Sequence, residues 1–114
     1  MRLFDAARIT RAAQRGAKLL DKVEPSWFQM VDLTILNMGS LSCCVLGQAY
    51  GDYMEGLLRL ETRADDAGRR VKKRGEEMDP YYYGFSILDV PLTAVEWSAL
   101  TEAWIEEIRA RMGR

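Results

Sequence analysis

The sequence contains no histidine and only two cysteines among its 114 residues. Without an imidazole, His-dependent acid/base catalysis, Ser-His and Cys-His nucleophile pairs and the common His-containing zinc sites are all excluded. The cysteines, Cys43 and Cys44, are neighbours in an apolar stretch. A disulfide between them would be strained, and two thiols on diverging sides cannot complete a metal site. We therefore expect two small hydrophobic residues with inert thiols.

Long hydrophobic runs and a strong overall charge are also absent. No apolar run reaches 18 residues, and the first eight residues lack the apolar core of a signal peptide, so neither membrane insertion nor export is predicted. We expect a cytoplasmic protein that does not bind membranes. The 16 basic and 17 acidic side chains give a net charge of −1. This balance argues against a protein that is basic throughout and against an acidic mimic of a polyanion.

The usual signatures of catalysis and cofactor binding do not occur in the sequence. Gly47 and Gly51 fall inside a predicted helix, so they do not form a phosphate-binding loop, and no metal-ligand spacing is present. The paired carboxylates Asp65-Asp66 and Glu76-Glu77 lie in solvated runs, where nothing would separate their pKa values for acid/base work. The sequence predicts a non-enzymatic protein with no catalytic residue, no cofactor and no metal.

The clearest positive feature is the stretch Leu41–Leu60, LSCCVLGQAYGDYMEGLLRL. Its apolar residues recur at the three- and four-residue spacing of one helix face. They are Cys43, Leu46, Tyr50, Tyr53, Met54, Leu57 and Leu60. Gly47 and Gly51, four residues apart, would let another backbone approach closely. We predict a central helix over residues 42–60 that is buried by the other elements.

Three polar residues are embedded in this apolar stretch: Gln48, Asp52 and Tyr53. Buried polar side chains in such positions usually satisfy backbone and side-chain hydrogen bonds, and that is the role we expect here. The alternative is an enzyme built on these three residues. It would require their side chains to open into a common cleft.

The remaining elements are predicted to surround the central helix. A first helix over residues 4–23 should pack on it, and Trp27 should fill the core beside them. The alternation of Val31–Ile35 and of Tyr83–Ile87 predicts two short strands that pair as a ribbon. Thr62–Arg74 is interpreted as a polar surface helix that begins at a Thr62 cap, or else as the end of one long helix from Ser42 to Arg74.

The last helix has the strongest local signals. Thr93-Ala94-Val95-Glu96 forms a capping box, and Leu92 with Trp97 forms a hydrophobic staple across it. Its apolar face comprises Trp97, Leu100, Thr101, Trp104 and Ile108, and its outer side carries Glu102, Glu106 and Glu107. Both tryptophans are expected in the core. The whole chain, 1–114, is thus predicted to be one compact domain, mainly α with a minor two-stranded β ribbon.

Two basic segments and a tyrosine run are the candidate interaction residues. The first helix carries a continuous positive stripe, Arg8, Arg11, Arg15, Lys18 and Lys22. A second cluster comprises Arg69, Arg70, Lys72, Lys73 and Arg74. Three consecutive tyrosines cannot all face inward in an extended segment, so at least one should expose its ring, and Tyr81 and Tyr82 are the candidates. Such tyrosines beside basic residues suit an interface or stacking on single-stranded nucleic acid.

The segment Cys44–Tyr53, CVLGQAYGDY, also carries a resemblance. Its flanking matches are Leu19-Leu20-Asp21, Trp27, Gly84-Phe85 and Leu100-Thr101-Glu102-Ala103-Trp104. In these residues the chain resembles a group of small proteins from actinobacteria and their bacteriophages, over roughly residues 16 to 108. The resemblance implies a phage or actinobacterial origin in the cytoplasm and implies no activity. Some members carry a Cys where this chain has Leu41, so a Cys-x-x-Cys function is not implied here.

Besides the enzyme built on Gln48, Asp52 and Tyr53, two functions remain open at this point. The first is a small phage-encoded cytoplasmic protein that binds and regulates a host or phage protein by occupying its surface. The second is a nucleic-acid-binding accessory protein, which requires the basic stripe and the Arg69–Arg74 cluster to converge on one surface. The sequence carries no signal for a particular oligomeric state.

Overall fold

The computed structural model describes residues 6–86 and 94–113 of the chain. Over these ranges the elements are α1 (Ala6–Val23), a 3₁₀ turn (Trp27–Met30), α2 (Val45–Tyr50), α3 (Tyr53–Asp66), β1 (Lys73–Arg74), β2 (Glu77–Met78) and α4 (Ala94–Met112). The strands pair antiparallel. The prediction of a mainly α fold with a small two-stranded ribbon is therefore confirmed. No helix among these combines the length and apolar character needed to cross a membrane.

An aromatic cluster forms the centre of the core. Trp27 and Trp104 are fully buried and meet edge to face, with ring centroids 5.6 Å apart. Phe85 stacks on Trp104 at 5.4 Å, and the Trp104 indole nitrogen donates to the Gly84 carbonyl oxygen at 2.6 Å. Each aromatic pair contributes about 1 kcal/mol beyond the burial of its area. The cluster joins α4 to the 3₁₀ turn and to the chain around Gly84.

Helix α1 packs mainly on α4, which corrects the expectation that it packs on the central helix. Its buried side is built largely from small residues, Ala12, Ala13, Gly16 and Ala17. A Cβ added at Gly16 would lie 2.0 Å from the Tyr83 carbonyl oxygen and 2.9 Å from the Trp104 ring. The small residues thus admit α4 and the Tyr83–Phe85 segment to close contact with α1.

The predicted continuous helix over residues 42–60 is wrong, because the chain breaks at Gly51. This glycine adopts a left-handed conformation with φ 97° and ends α2, while Asp52 is extended and caps α3. The apolar spacing continues through the break, but Met54 is 58% exposed rather than buried. Gly47 does mark a close approach, since an added Cβ would lie 2.4 Å from the Leu41 carbonyl oxygen. The segment therefore consists of two helices, α2 and α3, that are separated by Gly51 and Asp52.

The two-stranded ribbon forms at a different place from the one predicted. Asp32, within the predicted strand 31–35, accepts hydrogen bonds from both the backbone N–H and the hydroxyl of Thr34, which closes a turn. The observed strands instead flank Gly75, with Lys73 opposite Met78. The second predicted strand is a turn over residues 81–84, and its last residue, Ile87, lies outside the described ranges.

The separate surface helix Thr62–Arg74 is also wrong. Helix α3 continues through Thr62 to Asp66, and the Thr62 hydroxyl donates to the Leu58 carbonyl oxygen instead of capping a helix. The alternative of one helix from Ser42 to Arg74 fails as well, at Gly51 and again after Asp66. Residues 69–72 are irregular and lead into β1.

Helix α4 shows the predicted apolar face. Leu100, Trp104 and Ile108 are fully buried, and Thr101 is half-buried. Trp97 is only half-buried, so its assignment to the core is corrected. On the outer side, Glu102 and Glu106 are exposed, whereas Glu107 forms an ion pair with Arg111 at 3.0 Å. The capping box at Thr93 and the staple from Leu92 lie outside the residues that the structure describes.

Asp52 provides a test of the helix break. Its carboxylate accepts hydrogen bonds from Met54 N at 3.0 Å and Glu55 N at 3.3 Å. Asp52→Ala is expected to lower the free energy of unfolding by about 1 kcal/mol, because these N–H groups lose their partner. Asp52→Asn keeps an acceptor and should cost much less. Urea denaturation measures both variants, and an equal loss in the two would contradict the capping role.

Candidate interaction surface

The tyrosine run lies in a tight turn that is held by its neighbours. The Asp79 carboxylate accepts hydrogen bonds from the backbone N–H groups of Tyr81 at 2.9 Å and Tyr82 at 3.2 Å. The buried Tyr83 accepts a hydrogen bond on its hydroxyl oxygen from Lys72 N at 2.8 Å. These contacts fix the turn to β1 and orient the other two tyrosines outward. The Asp79-Pro80 pair directly before the tyrosines predicts a turn here, and the structure confirms it.

Arg15 of α1 reaches this turn from the other side. Its Nε donates to the Tyr82 carbonyl oxygen at 2.8 Å, and its guanidinium carbon lies 4.0 Å from the centroid of the Tyr82 ring. Arg15 is half-buried by this contact, while Tyr82 remains 38% exposed. A cation–π contact of this kind contributes about 0.5–1 kcal/mol at an exposed site. The contact also holds the guanidinium in one orientation.

A second arginine approaches the same turn from the ribbon. The Arg74 guanidinium lies 5.2 Å from the centroid of the Tyr81 ring, and Tyr81 is half-buried. The turn therefore joins the basic stripe of α1 to the Arg69–Arg74 cluster. We call Arg15, Arg74, Tyr81 and Tyr82 the arginine–tyrosine surface.

The other predicted basic residues flank this surface unequally. On α1, Arg8, Arg11, Lys18 and Lys22 are exposed, and between α3 and β1, Arg69, Arg70 and Lys72 are exposed. Lys73 instead forms an ion pair with Glu61, which raises the pKa of the lysine and lowers that of the carboxylate. Lys73 is therefore engaged within the chain. The exposed Glu76 lies in the turn of the ribbon and the exposed Glu77 begins β2, so this side carries charges of both signs.

Gln48 joins two loops through hydrogen bonds. Its Nε2 donates to the carbonyl oxygens of Cys43 at 2.9 Å and Asp32 at 3.3 Å, and its Oε1 accepts from Asp32 N at 2.6 Å. Every polar atom of the side chain thus serves the backbone. Gln48 has a structural role at the start of α2.

Asp52 and Tyr53 do not join Gln48 in a cleft. Asp52 is exposed and caps α3. Burial raises the pKa of Tyr53 to about 12, and a hydrogen bond with Ser86 opposes part of this rise. Tyr53 lines a small pocket of about 150 Å³ beside Trp97, and neither Gln48 nor Asp52 lines that pocket. The arrangement required for an enzyme built on these residues is not present.

The two cysteines differ in their surroundings, and both are free thiols. Cys44 is fully buried and caps α2, because its sulfur accepts a hydrogen bond from Gly47 N at 3.2 Å. Burial raises the pKa of the Cys44 thiol, which disfavours the reactive thiolate. Cys43 is half-buried. Across residues 6–86 and 94–113, no cluster of three or more Cys, Asp or Glu is arranged to hold a metal ion.

A concave surface that sequence reasoning did not predict lies at the start of α4. Leu36, Asn37 and Gly39 face Trp97 and Thr101 across a groove of about 490 Å³. The Met38 backbone N–H donates to the Thr101 hydroxyl oxygen at 3.0 Å, which fixes the loop to the helix. The groove is therefore a consequence of how this loop is attached, and the half-buried Trp97 is its largest side chain.

Comparison with protein-family models, with curated proteins and with solved structures returned no significant match for this chain. Its function must therefore be argued from the surface itself.

Proposed function

We propose that the chain is a small binding protein that regulates another protein by occupying its surface, and that the arginine–tyrosine surface is its contact site. The observation that carries this proposal is the meeting of Arg15 with Tyr82 and of Arg74 with Tyr81 on one exposed turn. Arginine and tyrosine are enriched among the residues that dominate binding energy at protein interfaces. Held side chains also lose less conformational entropy on binding.

The mixed charge of the surface favours a protein partner over nucleic acid. Glu76 and Glu77 are exposed next to Arg74, and Glu77 lies directly opposite Arg74 in the ribbon. A phosphate backbone that followed the basic residues would meet these carboxylates. A protein partner can place its own charges to suit both signs.

Nucleic-acid binding is the second candidate, and one specific observation favours it. The tyrosine turn joins the basic stripe of α1 to the Arg69–Arg74 cluster, as a nucleic-acid surface would require. Binding of this kind would weaken steeply with salt, and Arg11→Glu with Arg15→Glu would reduce it.

The proposed setting follows from the resemblance described above. We place the protein in the cytoplasm of an actinobacterial cell, encoded by a phage, with a host or phage protein as its partner. The basic excess on α1 suits a partner whose contact surface is acidic.

A crosslinking experiment tests the proposal. A photoreactive phenylalanine analogue replaces Tyr82 in one variant and the exposed Met112, near the end of α4, in a matched control. After irradiation in an actinobacterial lysate, we expect the Tyr82 variant to form a discrete protein adduct that resists nuclease. The Met112 variant should not form it, because that side chain lies outside the proposed surface.

In the same experiment, charge reversal tests the location of the contact, and nuclease treatment separates the two candidates. Adding Arg11→Glu and Arg15→Glu to the Tyr82 variant should reduce the adduct at least about fivefold, because charge pairs at the contact become repulsive. Adducts that disappear with nuclease would favour nucleic acid. An identical adduct pattern at Tyr82 and Met112 would contradict a contact site at the tyrosine turn.

A further inference from the structure

We infer that the clamped Arg15 guanidinium is a receptor for carboxylates, and that the partner presents an acidic helix to α1. The inference rests on the proposed function and names the chemistry of the partner. It concerns Arg15 together with Arg11 and Lys18, the neighbours of Arg15 on the same exposed side of α1.

The clamp fixes Arg15 before any partner arrives. Its Nε is engaged with the Tyr82 carbonyl oxygen, and its guanidinium carbon lies over the Tyr82 ring. The ring of Tyr83 packs edge-on against Tyr82 at 5.0 Å and supports it from within the core. Within the described residues, the two terminal nitrogens of Arg15 make no hydrogen bond. They are left to bind the two oxygens of one carboxylate, the geometry that a planar guanidinium favours.

The spacing of the basic side chains matches a helix. Arg11, Arg15 and Lys18 are separated by four and three residues, which places them about 6 and 4.5 Å apart along the axis of α1. Glutamates at positions i, i+4 and i+7 of a partner helix have the same spacing and lie on one face. An acidic helix that runs parallel to α1 can therefore satisfy all three cations at once.

Carboxylates fit this site better than a phosphate backbone with stacked bases. Arg15 already lies over one face of the Tyr82 ring, and the Tyr83 ring packs against it at a right angle, so the face that Arg15 covers cannot stack on a base. The exposed Glu76 and Glu77 limit the basic path beyond Arg74. A short acidic helix needs only the α1 side of the turn.

Synthetic peptides provide the probe. One fluorescent alanine-rich helical peptide carries glutamates at i, i+4 and i+7, and a second has the same composition with the glutamates spread around the helix. We expect fluorescence anisotropy to show that the full chain binds the first peptide more tightly than the second, and more tightly than a single-stranded oligonucleotide at equal salt.

Four variants, two of them controls, test the clamp without changing net charge. Arg15→Lys and Tyr82→Ala should each weaken peptide binding about fivefold, since a stacked cation is worth roughly that factor. Arg11→Lys is the matched control and should change binding less than about twofold, because no comparable clamp holds Arg11. Tyr82→Phe keeps the ring and the carbonyl group, so it should bind like the unmodified protein. Circular dichroism melting checks that each variant is folded.

The outcomes are decisive for this inference. The inference would be overturned by equal affinity for the two peptides or by tighter binding of the oligonucleotide. It would also be overturned if the Arg15→Lys and Arg11→Lys variants bound the peptide with equal affinity. If those results accompany an intact nuclease-resistant adduct at Tyr82, the proposed function stands and only the carboxylate receptor fails. If the adduct is absent, the proposed function fails whatever the peptides do.

Discussion

Replacing Arg111 with alanine is expected to lower the free energy of unfolding by about 3 kcal/mol, because the change removes an almost fully buried guanidinium from a partly buried ion pair. The Arg111 guanidinium binds both carboxylate oxygens of Asp21, at 2.8 and 2.9 Å, and one of its terminal nitrogens also donates to the Glu107 carboxylate at 3.0 Å. The Trp27 indole nitrogen donates to the same Asp21 carboxylate at 2.9 Å. Without Arg111, the partly buried carboxylates of Asp21 and Glu107 lose these contacts at the junction of α1, α4 and the 3₁₀ turn.

Arg109→Ala is the matched control for this prediction. Arg109 lies on the same final part of α4 but is exposed, so its loss should change the free energy of unfolding by less than about 0.5 kcal/mol. Urea denaturation of both variants, followed by circular dichroism, measures the difference. A loss below 1 kcal/mol for Arg111→Ala would show that the pair contributes little beyond its desolvation cost.

This ion pair illustrates what a sequence pattern does not reveal. Asp21 and Arg111 are 90 positions apart, and each has the ordinary polar neighbours of a helix end. Local periodicity assigns side chains to a face of their own helix, but it does not say which helices meet. The pairing follows from the packing of α1 on α4, and the sequence had indicated a different partner for α1.

The elements that were predicted well are those with strong local signals. Helix α1 agrees with the interpretation of residues 4–23 over the part that the structure describes, and α4 shows the predicted apolar face. Both have a regular helical repeat over five turns. The burial of Trp27 and Trp104 follows from the large apolar area of their rings.

The prediction of one helix over residues 42–60 was wrong because two signals in the sequence competed. The apolar spacing through residues 42–60 fits one helix, but it also fits two helices that resume in register after a turn. The neighbouring pair Gly51-Asp52 was the decisive signal, since glycine favours a helix end and aspartate a helix start. The predicted strand over residues 31–35 was wrong for a similar reason. Its alternating pattern indicates a strand, but the Asp32 side chain closes a turn there instead, and Ile35 is 52% exposed.

The sequence predicted the separate parts of the arginine–tyrosine surface, but not the surface as a whole. Exposure of Tyr82 followed from the tyrosine run, and the basic residues followed from their spacing. The meeting of these basic residues with the tyrosines could not be predicted, because it depends on the close approach of the Tyr83–Phe85 segment to α1. That approach requires glycine at position 84, where sequence reasoning had placed a strand.

Gly84→Ala is accordingly expected to be among the most damaging single substitutions, lowering the free energy of unfolding by roughly 3–4 kcal/mol. Gly84 has φ 71°, a left-handed conformation that costs alanine about 1 kcal/mol. An added Cβ would also lie 2.6 Å from Ala13 N and 2.7 Å from the Ala12 carbonyl carbon. Both are backbone atoms of α1, which cannot move aside as a flexible side chain could.

Gly68→Ala separates strain from crowding, because Gly68 has nearly the same φ, 70°, and no atom within 4 Å of the added Cβ. It should cost only the conformational strain, about 1 kcal/mol. The difference between the two variants in urea denaturation, about 2 kcal/mol or more, then measures the close approach of the turn to α1. Peptide binding should follow the same order, since displacing Gly84 moves Tyr82 away from Arg15. Equal losses for both variants would mean that the turn can shift freely, in which case Arg15 would not be held before a partner binds.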